Sequence, residues 1–309
     1  MDKPLVVVVL GPTASGKTSL GIEIAERFDG EIVSADSMQI YENMDIATAK
    51  PTAQEQARIK HHLVGFVPVG EAFSVAKYKE KASDAIDGIL SRGKLPVVVG
   101  GTGFYIDTLV KNTEFFDYED SGIRLKLEER LANEGIEVLF EELTNVDPKT
   151  AGRLHINDTK RIMRALEVYY LTGKTISEQE EMSHLNDSKY RWCLIGLCAE
   201  DRQYLYDRIN LRVDKMLDEG LIEEAKNFFS SETSSTAAQA IGYKELKPYL
   251  DGLLSLNEAV EKLKMESRRY AKRQLTWFRR NKEIHWLNID TLTADGLISE
   301  ACRIVDNER

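Results

Sequence analysis

The chain has 309 residues, 42% hydrophobic and 30% charged, with a formal charge of −10. That length gives one large or two modest domains with ample core, and the composition is that of an ordinary soluble protein. No apolar run reaches the roughly 18 residues of a membrane span. Cys193, Cys198 and Cys302 are too few for a disulfide framework and lack the paired spacing of a zinc site. Met1-Asp2-Lys3-Pro4 leads straight into an apolar run followed by a motif rather than a cleavage site, so no signal peptide is expected. A cytoplasmic protein with reduced thiols is the resulting expectation. The net negative charge argues weakly against a nucleic-acid partner, but the charge is unevenly distributed.

Leu5–Leu10 (LVVVVL) predicts a strand buried on both faces of a parallel sheet. A helix is expected over Lys17–Phe28, a second strand over Glu31–Ala35, and a helix over Phe73–Leu90 with Ser74 as its N-cap. Leu95–Val99 reads as another strand, ending on Gly100-Gly101-Thr102-Gly103. This alternation predicts an α/β protein with a doubly wound parallel sheet. From about residue 114 to 190 the β signals fade. Arg124–Leu143 reads as one long charged helix, and Asp158–Leu171 as another behind an Asn157-Asp158 capping pair. Residues 114–190 are therefore expected to form a helical insertion domain between the halves of a core, 1–113 and 191–309. Trp192–Leu197 returns to a strand pattern, Arg202–Phe229 and Leu256–Lys282 read as helices, and Ser230–Thr236 as a flexible loop.

Residues 11–18, Gly11-Pro12-Thr13-Ala14-Ser15-Gly16-Lys17-Thr18, match the P-loop pattern between a strand and a helix, the context that motif requires. Successive backbone N–H groups make an anion nest, the helix N-terminus adds positive potential, and Lys17 supplies an ammonium to the phosphates. The Thr18 hydroxyl offers a ligand to Mg²⁺ or a bond to a phosphate oxygen. The motif alone leaves the ligand open. A nucleotide triphosphatase adds an acid at the end of a second apolar strand, whereas LPVVV ends in Gly-Gly-Thr-Gly.

Asp36-Ser37 follows the second strand, where ligands of open α/β sheets bind. Asp36 can be a general base or metal ligand there, or can cap a turn. Thr102 shares that edge, or belongs to a simple glycine-rich turn. Arg212, on a helix with Arg208 and Lys215, reads by itself as a solvated surface residue. Residues 262–282 carry nine positive side chains against Glu266, a local charge of +8, with Tyr270, Trp277 and Phe278 interleaved. Arg153, His155, Lys160, Arg161 and Arg164 form a second basic set, with Lys160 and Arg164 on one helix face. Two such clusters in an acidic chain that grips phosphates favour a nucleic-acid partner over two solvated faces.

GPTASGKT (11–18), ADSMQIY (35–41), DIATAKPT (45–52), HHL (61–63), FSVAKY (73–78), GGTGFYI (100–106), RLHINDTKRIMRALEV (153–168), QAIGYKEL (239–246) and RRYAKRQLTWFRR (268–280) together resemble the tRNA dimethylallyltransferase, or tRNA isopentenyltransferase, family. The resemblance runs in order over nearly the whole chain. It implies transfer of a dimethylallyl group from dimethylallyl diphosphate to N6 of the adenosine just 3′ of the tRNA anticodon. It also implies that the P-loop holds that diphosphate with Mg²⁺ rather than ATP. Asp36 matches the family's proton acceptor, Arg212 its diphosphate-contacting arginine, and Thr102 a threonine that contacts the adenosine. Asp36, Ser37, Met38, Gln39, Thr102, Arg124, Lys160, Arg161, Ile162, Met163, Arg164, Arg269 and Arg273 are the expected tRNA contacts, gripping the anticodon stem-loop. Ala47 stands where Gly is usual, Ile156 where Pro is usual, and Lys160 where Gln or Arg is common. A monomer is expected. A small-molecule P-loop kinase and a non-catalytic RNA-binding P-loop switch are the alternatives.

Overall fold

The computed structural model describes residues 3–115, 122–183 and 187–309. They divide into two compact units, Met1–Leu109 with Lys189–Arg309, and Val110–Ser188.

The larger unit is built on six strands: β1 (Leu5–Leu10), β2 (Gly30–Ser34), β3 (His61–His62), β4 (Leu95–Gly100), β5 (Arg191–Cys198) and β6 (His285–Asn288). They lie in the order β3-β2-β4-β1-β5-β6, every neighbouring pair parallel. Parallel strands need crossovers that cover both faces of the sheet, which is why β1 is an unbroken apolar run. Val6 to Val9 are all fully buried.

Four helices belong to the first half of this unit: α1 (Lys17–Arg27), α2 (Ala53–Arg58), α3 (Val75–Ser91) and α4 (Gly103–Val110). The smaller unit contributes α5 (Ile123–Glu134), α6 (Ile136–Val146), α7 (Pro148–Ala151), α8 (Thr159–Thr172) and α9 (Ile176–Ser183). The chain returns for α10 (Arg202–Asp218), α11 (Leu221–Ser230), α12 (Tyr243–Leu250), α13 (Leu256–Phe278) and α14 (Ala294–Glu308). Val7 and Val9 pack with Leu20 and Ile24 of α1, Ile209 of α10 and Ile304 of α14. The alternation of the strand turns Val6 and Val8 the other way. Helix α3 buries Tyr78, Ala82, Ile86 and Ile89 and packs on β2 and β4.

This order sets the carboxyl ends of β1, β4 and β2 side by side. They carry the P-loop, Thr102 and Asp36 respectively, at the edge where α/β sheets bind ligands. Among the described residues, no helix is long and apolar enough to cross a membrane.

Several expected elements are divided or shifted. The helix expected over Arg124–Leu143 breaks at Gly135 (φ +85°), and the one over Arg202–Phe229 at Gly220 (φ +103°). Side chains rarely adopt such backbone angles, so a glycine inside a periodic pattern marks a stop. Helix α13 ends at Phe278, four residues short of Lys282. Strands β3 and β6 are short and only partly apolar, and no periodicity announced them. The Ser230–Thr236 stretch is anchored rather than free: Ser234 is buried, its N–H donates to the Val69 carbonyl at 2.8 Å, and its hydroxyl accepts from the Ala237 N–H at 3.2 Å.

The helical unit has its own core of Leu127, Leu139, Leu143, Ala151, Ile162, Met163, Ala165 and Leu166. Ile162 and Met163 are therefore corrected as side-chain RNA contacts. The helical repeat turns them inward while Lys160, Arg161 and Arg164 stay exposed. Asp158 occupies the N-cap of α8 without a side-chain cap bond; its carboxylate accepts from Arg161 at 3.3 Å instead.

Ser74 caps α3 as its sequence position predicts, its hydroxyl accepting from the Lys77 N–H at 3.2 Å. Ser74→Ala is expected to cost about 1 kcal/mol. A lowered urea midpoint at constant slope, largely restored by Ser74→Asp, is the readout; an unmoved midpoint contradicts the cap.

Candidate active site

The P-loop joins β1 to α1 and is fastened from outside. The Arg208 Nε donates to the Ala14 carbonyl at 2.8 Å, and the Thr13 N–H donates to Gln274 Oε1 at 2.9 Å. Lys17 Nζ reaches back to the Pro12 carbonyl at 3.4 Å. The Ser15 hydroxyl points inward, buried and without a partner among the described residues, and the Ser15 N–H is directed to the Pro12 carbonyl at 3.3 Å.

After β2, Asp36 caps a turn and also faces a cavity. Its Oδ1 accepts from the Met38 N–H at 2.9 Å and the Gln39 N–H at 3.4 Å, an Asx-type turn. The residue also lines a cavity with Thr13, Lys17, Thr18 and Arg212. Thr102 is tied to the same turn. Its Oγ1 accepts from the Ser37 N–H at 3.0 Å and donates to the Ser37 hydroxyl at 3.3 Å, while its own N–H donates to the Ala35 carbonyl at 3.1 Å. Thr102 does not itself line that cavity; Ser37 and Met38 do.

Arg212 is half-buried on α10, not solvated as its sequence neighbours suggested. Burial lowers its pKa and the Asp36 carboxylate opposes that shift. Lys17 is pushed down to about 8, first by burial and then by Arg212, with Asp36 again opposing. Two cations thus sit in a confined space beside one carboxylate, an arrangement suited to a polyanion. The cavity also has an apolar lining: Ile209, Val213 and Met216 of α10, and Leu263 of α13. A second cavity shares Lys17, Thr18, Ala49, Arg212 and Met216 with the first and continues past Gly16, Lys50, Arg208 and Lys215.

Gln39, an expected RNA contact, is a brace. Its amide Nε2 donates to the carbonyls of Thr48 and Ala49 at 3.2 and 3.0 Å, and its Oε1 accepts from the Ser34 hydroxyl at 3.3 Å. The loop it holds, a wall of the cavity, is fastened again at its other end. Glu224 accepts from the N–H groups of Asp45, Ile46 and Ala47 at 2.8, 2.7 and 2.9 Å, and from the Tyr243 hydroxyl at 2.8 Å. Nothing in the local sequence around Glu224 points to this role, because its partners lie nearly 180 residues away.

The basic helix α13 is not a uniform solvated face. Arg268 donates to Asn210 Oδ1 at 2.6 Å, Lys264 pairs with Asp214 at 2.7 Å, and Arg280 stacks on Trp277 at 3.9 Å. Arg273, Tyr270 and Gln274 line the cavity. Burial, and after it the Asp36 charge, raises the Tyr270 pKa, and the nearby Thr102 and Gln274 side chains oppose that shift. Tyr270 and Gln274 were not singled out as site residues, although the 270, 273, 274 spacing puts them on one helix face. Arg269 lies outside the cavity lining, paired with Glu266 at 2.6 Å. Arg124, Arg161 and Arg164 of the helical unit engage Glu128, Asp158 and Glu167 on their own surface.

An anion-binding loop and two confined cations facing a carboxylate and an apolar wall define a P-loop α/β protein equipped for group transfer from a phosphate ester. Residues 39–281 match the family described as IPP transferase, and residues 4–66 that described as isopentenyl transferase. The chain is 51% identical over 296 residues to the tRNA dimethylallyltransferase of Acetivibrio thermocellus, covering 95% of this chain and 94% of that one. The crystal structure of the tRNA isopentenylpyrophosphate transferase of Bacillus halodurans superposes with a TM-score of 0.74 at 41% identity, covering 99% and 96% of the two chains. A eukaryotic dimethylallyltransferase acting on tRNA superposes at 0.82 and 29% identity, covering 98% of this chain and 80% of its own. The chain belongs to the IPP transferase family.

The Lys17 ammonium is charged below about pH 8 and neutral above. Inorganic diphosphate is therefore expected to bind the wild-type protein more weakly, relative to Lys17→Arg, as pH rises through that value. Calorimetric titration across the neutral to alkaline range reads this; parallel profiles for the two proteins contradict it.

Proposed function

We propose that this protein transfers the dimethylallyl group of dimethylallyl diphosphate to N6 of the adenosine 3′ of the anticodon in a tRNA, releasing diphosphate. The observation that carries the reading is the cavity in which Lys17, Thr18 and Arg212 meet Asp36 and an apolar wall. The cations suit a diphosphate, and Ile209, Val213, Met216 and Leu263 suit a short branched alkenyl chain. Adenine N6 is a poor nucleophile, because its lone pair is delocalised into the ring. As that lone pair forms the new C–N bond, the C–O bond breaks and its electron pair leaves on the diphosphate. The N6 proton passes to the Asp36 carboxylate. Charge developing on the leaving oxygens is met by Lys17, Arg212 and the P-loop amides.

A Mg²⁺ ion fits this arrangement. No group of three or more acidic, histidine or cysteine side chains forms a protein cage among the described residues. Mg²⁺ commonly takes one hydroxyl or carboxylate together with phosphate oxygens and water. Thr18 would hold it, and when bound it supplies further charge neutralisation to the diphosphate.

The target base must leave its stack to reach Asp36, with Thr102 and the Ser37–Met38 turn beside it. Exposed Arg124, Lys160, Arg161 and Arg164 of the helical unit, with Arg269 and Arg273 of α13, are proposed to hold the anticodon stem-loop.

Labelled dimethylallyl diphosphate, Mg²⁺ and unmodified tRNA with an A-rich anticodon loop test the reading. Label in the tRNA is expected; ATP turnover without it would mark a kinase. Asp36→Asn keeps an acceptor for the Met38 N–H but removes the base. It is expected to lower kcat by about 10²–10⁴-fold, and near-normal turnover would remove Asp36 from that role. Replacing Arg269 and Arg273 together by Ala should weaken tRNA binding and flatten its dependence on salt, each lost phosphate contact lowering the slope by about 0.7–0.9. An unchanged slope contradicts that surface.

A further inference from the structure

The proposed reaction must hold two partners in register, the diphosphate on the P-loop and the adenine beside Asp36. The loops that bind them leave three different strands, and helix α13 reaches two of them, the P-loop after β1 and the segment after β4. Gln274 lies on that helix, only 5% exposed. Its Oε1 accepts from the Thr13 N–H at 2.9 Å, and its Nε2 donates to the Gly101 carbonyl at 2.8 Å. A carbonyl oxygen and an amide nitrogen can serve those two partners in one orientation only.

One turn earlier, Tyr270 lines the same cavity, near Gln274 and Thr102. Thr102 in turn accepts from the Ser37 N–H. A polar chain, completed by the Gly101–Thr102 backbone, therefore runs from the P-loop through Gln274 to the turn that carries Asp36. The helix is seated closely enough to make that chain stiff. A Cβ at Gly101 would fall 2.3 Å from Gln274 Nε2, and one at Gly103 would fall 2.3 Å from Trp277 Cδ1. The Gly-Gly-Thr-Gly segment is thus the groove that receives α13, beyond ending a strand.

We propose that Gln274 is a positioning residue that fixes the distance between the departing diphosphate and the attacking amine by locking the P-loop to the end of β4. The inference rests on the transferase reading above. Both polar atoms of its amide are committed to backbone groups, so Gln274 acts through Thr13 and Gly101. A misplacement of about 1 Å in such a site costs on the order of 100-fold in rate.

Two variants of the full-length protein test this in single-turnover assays with saturating dimethylallyl diphosphate and tRNA. Gln274→Met keeps the volume and removes both hydrogen bonds. Its rate constant is expected to fall about 100-fold, while the KM for dimethylallyl diphosphate moves less than about threefold because the phosphate ligands remain. Gln274→Glu keeps the acceptor for Thr13 but sets a carboxylate against the Gly101 carbonyl. Protonation restores a donor, so its rate relative to wild type should climb as pH is lowered. A Met variant within twofold of wild type overturns the proposal. So does a Glu variant whose ratio to wild type is flat with pH, which decides the matter even if the Met variant fails to fold. A wild-type protein that transfers no label refutes the transferase reading instead, whatever the variants do.

Discussion

Everything in the site follows from the difficulty of keeping two positive charges close together and partly out of water. Lys17 and Arg212 repel each other, and burial disfavours both charged forms, which is why Lys17 is pushed down to about 8. The Asp36 carboxylate relieves only part of this. A protein tolerates such a local cost when a ligand removes it, and a diphosphate does so with more charge than one carboxylate supplies. The same field serves the chemistry, because negative charge grows on the diphosphate as its bond to carbon breaks. In the proposed scheme, binding and rate enhancement therefore draw on one pair of side chains.

Holding that pair in place needs structure from remote parts of the chain. The P-loop is fastened by Arg208 from α10 and Gln274 from α13. The facing loop is fastened by Gln39 at one end and by Glu224 at the other. None of these four residues carries charge to a reacting atom in the proposed scheme. Each satisfies backbone groups that a loop bordering a cavity would otherwise leave unpaired. The parallel sheet supplies the frame, since it delivers the ends of β1, β4 and β2 to one edge.

Much of this was legible in the sequence where the signal is local. The apolar run of β1, the phosphate loop and the Ser74 cap are each written within a few residues, and each stands where expected. Features that depend on distant partners were not legible. Arg212 looked like a surface residue because only its burial beside Asp36 and Lys17 distinguishes it from Arg208 or Lys215. Gln39 sat in a motif attributed to RNA contact, yet its amide is engaged by the protein's own carbonyls. Ile162 and Met163 were carried along with the charged residues around them, although the helical repeat turns them into the core. Gly135 and Gly220 interrupted patterns that otherwise ran on, and a stricter reading of those glycines would have divided both helices.

The two cavities that share Lys17, Thr18 and Arg212 continue in different directions, one past Asp36 and Tyr270, the other past Lys50, Arg208 and Lys215. The cationic pair therefore stands at a junction, not at the floor of a blind pit. Where reactants meet at a junction, neither has to wait for the other to withdraw. A bulky acceptor can stay seated on one side while a small anion is exchanged on the other.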